Sequence, residues 1–134
     1  MSRRGSTILF TVGVTVLAVT GCAPAEPVAC PAVAYMSTLE IVVDVPGAED
    51  VLICNDDLCA PSRAASDAGV TVFPADVDGD VWTFTGQFPD GMTVEVYDAA
   101  GELLTSTGID PDWHRTGGSE ECGGPAEASV TVRV

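Results

Sequence analysis

The chain has 134 residues, 20 acidic against five basic, and a formal charge of −15 at pH 7. All five bases are arginine, so the lysine needed for Schiff-base chemistry or a phosphate-loop ATPase is missing. A surface this acidic repels nucleic acid and anionic headgroups and argues against both as partners.

Residues 1–21 read as an export signal. Arg3 and Arg4 precede a nearly unbroken apolar stretch from Ile8 to Val19. A stretch of about a dozen residues is too short for a permanent span of ~30 Å of hydrocarbon, and a short apolar run ending in small residues is the pattern of a removable signal. Val19-Thr20-Gly21-Cys22 closes it. This run resembles the bacterial lipoprotein signal, with Val and Thr replacing the usual Leu and Ala or Ser. The resemblance implies that the Cys22 thiol receives a diacylglycerol and that cleavage leaves Cys22 as the mature N-terminus. Two acyl chains anchor firmly where one is marginal. The expected location is the outer face of the cytoplasmic membrane, with the membrane as a partner through that lipid.

Removing the signal leaves 113 residues, enough for one domain. Only Arg63, Arg115 and Arg133 then face 20 acids, a charge of about −17. Residues 22–34 form a short tether with Pro24 and Pro27, and 35–134 form the domain. Besides Cys22, the cysteines are Cys30, Cys54, Cys59 and Cys122. Four cysteines in a small exported domain indicate two disulfides with three pairings open. Cys54–Cys59 across a hairpin tip and Cys30–Cys122 between the domain's ends are favoured. A zinc site would need more close-spaced ligands than one cysteine pair and one histidine. No metal or other cofactor is expected.

From residue 39 onward the apolar pattern has period two. Leu39-Ile41-Val43-Val45, Val51–Cys54, Val70–Phe73, Val81–Thr85, Met92–Tyr97, Leu103–Thr107 and Val130–Val134 give about seven short strands. They are punctuated by Pro46-Gly47, Asn55-Asp56-Asp57, Asp78-Gly79, Asp90-Gly91 and Asp98–Gly101. Pro61 limits the one helical candidate, Ala60–Ala68, to a short turn. Regular short strands with turns between them predict an all-β fold, a single antiparallel Ig-like β-sandwich.

The strand–Asp98-x-x-Gly101–strand unit is similar to a hairpin of many bacterial Ig-like extracellular modules. With Cys30, Cys54-x4-Cys59, Trp113-x-Arg115-x-Gly117-Gly118 and Cys122-Gly123-Gly124-Pro125, the layout resembles small lipoproteins of high-GC Gram-positive bacteria. The resemblance implies a fold and an address, and no activity.

Three groups of residues invite functional readings. Asp76-Val77-Asp78-Gly79-Asp80 could gather a calcium ion, but the sixth and twelfth positions of an EF-hand-like loop fall on Val81 and Gln87, and a hairpin turn accounts for the same residues. His114, the single histidine, would have to serve any hydrolase; Asp110, Asp112, Ser106 and Ser119 are near it in sequence, yet no nucleophile-elbow motif is present. Trp113 and Arg115 lie in a glycine-rich loop, and such a pair is typical of protein-interface hot spots, although Trp113 could equally serve the core. No catalytic or cofactor-binding residue is assigned. The expected function is a non-enzymatic envelope module that binds a protein or wall component.

Overall fold

A computed structural model describes Gly21 and residues 26–134. Cys22 and the remainder of the proposed signal lie outside the described residues. Two sheets enclose one core. In the first, β1 (Ser37–Asp44) lies at the centre, with β5 (Val81–Gly86) on one side and β9 (Ala126–Arg133) on the other. Two short strands, β4 (Asp76–Asp78) and β8 (His114–Arg115), complete its edges. The second sheet has the order β3 (Leu58–Ala60), β2 (Asp50–Asn55), β6 (Met92–Tyr97), β7 (Leu103–Ile109).

Alternation builds the core. Leu39, Ile41 and Val43 are buried while Glu40 and Asp44 are exposed. Register then aligns the inward side chains: Leu39 lies beside both Phe84 and Ala128, Ile41 beside Trp82 and Val130, and Val43 beside Val132. From the other sheet Val51 and Ile53 of β2 stand opposite Val96 and Val94 of β6. Residues of both sheets form one buried cluster, which supplies the apolar burial the fold rests on.

The described residues form nine strands, and the pairing is not antiparallel throughout, because β1 and β9 run parallel. A parallel pair requires a long crossover, and here the whole second sheet lies between the two strands in sequence. The short β3, β4 and β8 carry too few residues to show a period. Val70–Phe73, expected as a strand, is held instead by an isolated Val72–Gly86 bridge and by bonds from Phe73 N to Thr85 O and from Gln87 N to Thr71 O. A Cβ at Gly86 would lie 2.4 Å from Thr71 O, so only glycine permits that approach. The helical turn is α1, Arg63–Asp67, capped by Ser62 Oγ, which accepts from Ala65 N at 3.1 Å.

The β6–β7 turn is organised by one side chain. Asp98 Oδ1 accepts from the N–H groups of Ala100 and Glu102 at 2.9 and 2.8 Å, while Gly101 supplies the positive φ of +77°. Asp98→Ala removes both bonds and is expected to lower stability by about 1–2 kcal/mol, read from urea unfolding.

Candidate functional site

The loop between β7 and β9 is fixed more firmly than its glycine content suggests. Thr116 donates through N and Oγ1 to Pro125 O, at 2.8 and 3.2 Å. Ser119 N donates to Gly123 O at 3.0 Å, and Cys122 N donates to Ser119 Oγ at 3.1 Å. The two limbs cross at glycines: a Cβ on Gly118 would lie 1.9 Å from Gly123 O, and one on Gly124 would lie 2.0 Å from Gly117 O. Cys30–Cys122 ties the crossing to the start of the domain. Gly124→Ala is therefore expected to force the limbs apart at a cost of about 1–3 kcal/mol, with a change in near-ultraviolet circular dichroism from Trp113.

Trp113 and Arg115 stand where this loop meets β8. Trp113 is half-buried and stacks on Phe88, ring centroids 5.4 Å apart and planes at 28°. Arg115 is exposed, and among the described residues no ion pair holds it. The tryptophan thus packs along the core margin, and the guanidinium projects from a braced base. Phe88 was not legible as its partner, because the two lie 25 positions apart with β6 and β7 between them.

His114 is exposed, with Nε2 3.7 Å from Asp112 Oδ2, also exposed. Among the described residues no hydrogen bond joins it to a serine. It borders a shallow depression with Thr38, Glu40, Glu127 and Ser129, where Ser129 Oγ lies 3.4 Å from Glu40 Oε1. These side chains come from β1, β8 and β9, so nothing in their sequence spacing announced the grouping.

Asp76 and Asp78 are exposed on β4, and Gly79, with φ +59°, begins the reversal into β5. Among the described residues, the one group of acid, cysteine and histidine donors close enough to share an ion is Cys54, Cys59 and Glu95. There the two sulfurs are joined to each other.

That second disulfide links register partners of β2 and β3. Glu95 Oε2 lies 3.7 Å from Cys59 Sγ, a contact without a proton because a disulfide sulfur has none to donate. The same oxygen accepts from Tyr97 Oη at 2.5 Å. This bond to a carboxylate holds the Tyr97 hydroxyl proton, with partial burial and the nearby charges of Glu95 and Asp50 acting the same way, so its pKa is raised above 10.0. A raised folded pKa stabilises fully below the unfolded value, near pH 10, and that contribution is lost as pH rises through the higher folded value. Tyrosinate absorbance is expected to show Tyr97 ionising above the ordinary tyrosine range, and Glu95→Gln is expected to bring it back toward that range.

Comparison of the chain with protein-family models, curated proteins and solved structures gives no match.

Proposed function

We propose that the chain is an exported lipoprotein whose Ig-like sandwich serves as a non-enzymatic binding module of the cell envelope. The address rests on Val19–Cys22 following a short apolar run. Two disulfides in a small domain suit an oxidising compartment outside the cytoplasm, and two facing sheets of short strands suit the Ig-like reading.

The observation that carries the binding role is the exposed Arg115 on a loop braced by a disulfide and crossed glycines. A pre-ordered loop loses little entropy on association. Arg115, with the accessible part of Trp113, therefore forms the contact surface for an envelope protein or wall polymer.

A photo-crosslinking residue placed at Arg115 in intact cells tests this. Discrete adducts with one envelope component are expected, and the same residue at exposed Asp67 should give none. Equal, diffuse labelling from both positions would contradict the proposed surface.

A further inference from the structure

The two flanks of the sandwich differ. On one, β3 and α1 cover the edge of β2, while β4 and the Thr71–Phe73 segment cover β5. On the other, β7 ends the second sheet and pairs, among the described residues, with β6 alone. An edge strand leaves the N–H and C=O groups of alternate residues without ladder partners.

Exposed edges are usually blunted by shortness, proline, inward charge or a bulge. The other edge strands follow this: β3 and β4 have three residues each and β8 has two. β7 has seven, Leu103-Leu104-Thr105-Ser106-Thr107-Gly108-Ile109, with no charge and no proline. Its single irregularity lies at the start, where the register shift between Val96 and Tyr97 leaves Leu104 unpaired. From Thr105 to Ile109 the ladder to β6 is regular, so the outer side of that stretch is a straight template.

We infer that β7 is a docking edge for an extended polypeptide that adds a fifth strand to this sheet, and that this strand is uncharged and β-prone with Lys or Arg at both ends. Charge selects the occupant. Glu102 precedes the strand and Asp110 follows it, both exposed, with exposed Asp112 beyond. Basic residues flanking an incoming strand meet a carboxylate at either end, whereas the backbone ladder between is indifferent to side-chain charge.

The same charges oppose a second copy. Antiparallel self-pairing centred on Ser106 would set Glu102 of each copy against Asp110 of the other, between molecules of about −17 each. The ladder residues 105–109 do not include Arg115, and the inference does not depend on the lipid.

Peptides containing Val-Thr-Val-Thr-Val flanked by two lysines or by two glutamates at each end test the inference on the oxidised protein. The lysine form is expected to slow amide hydrogen exchange at alternate residues of 105–109 and to bind at least about tenfold more tightly than the glutamate form, with the difference shrinking in high salt. Gly108→Pro and Thr107→Pro supply the control at adjacent register positions. In an alternating ladder, one proline removes an outward N–H and the other an inward one. The outward variant is expected to keep the fold, by circular dichroism, and to lose peptide binding. Absence of binding, equal binding of both peptides, or protection confined to the Arg115 loop would overturn the inference. So would concentration-dependent dimerisation that protects β7 without peptide.

Discussion

Replacing Cys30 and Cys122 together with serine is expected to remove about 4–5 kcal/mol of stability. The bond closes a sequence separation of 92 residues, and the loop-entropy model assigns a loop of that size about that amount. Small domains are stable by only about 5–15 kcal/mol, so the loss is roughly a third of the whole or more. Cys54–Cys59 spans a separation of five, and serine at both positions should cost about 2 kcal/mol. Unfolding midpoints in guanidinium would establish the order, the long link well above the short one. The reverse order would mean that Cys30–Cys122 restrains little of the unfolded chain. Losing the long link also frees the braced loop, so the crosslinking pattern at Arg115 should broaden with it.

Phe84→Ala is expected to cost about 3–5 kcal/mol. Phe84 is 0% exposed and is a register neighbour of Leu39, itself 0% exposed, on the central strand. The deletion leaves a cavity where side chains of both sheets meet, and neighbours fixed in a ladder collapse poorly into it. Phe73 provides the contrast: it is 51% exposed, and Phe73→Ala should change stability by no more than about 0.5 kcal/mol. Thermal unfolding of the two variants separates them without reference to function.

The larger part of the fold was legible because β1, β6 and β9 each bury one face, and period-two alternation records that burial directly. Leu39, Ile41 and Val43, or Met92, Val94 and Val96, declare their inward face in the sequence alone. Both favoured disulfides are present: Cys54–Cys59 was legible because a cysteine pair across a hairpin tip is close by construction, and Cys30–Cys122 joins the domain's start to its end. What could not be read was long-range placement. The parallel pairing of β1 with β9 depends on the route of the chain through residues 45–125. Val70–Phe73 carries an apolar run without becoming a strand, because Gly86 admits its backbone edge-on while Pro74 ends it.

The candidate site divides along the same line. Trp113 and Arg115 were marked by residue type in a glycine-rich loop, but the rigidity of that loop comes from contacts between Gly117-Gly118 and Gly123-Gly124 that only geometry supplies. Glu95 and Tyr97 gave no signal; on β6 they are ordinary outward residues until register brings β2 and β3 alongside. The open edge of β7 is likewise a property of sheet order, invisible in a strand whose own sequence is unremarked.

Everything proposed about location turns on Cys22. Intact-mass analysis of the protein extracted from cell membranes is the most direct measurement. The predicted result is a chain beginning at Cys22, carrying a diacylglycerol thioether on that residue, with Cys30–Cys122 and Cys54–Cys59 both closed. A precursor still beginning at Met1, with a free thiol at residue 22, would contradict it.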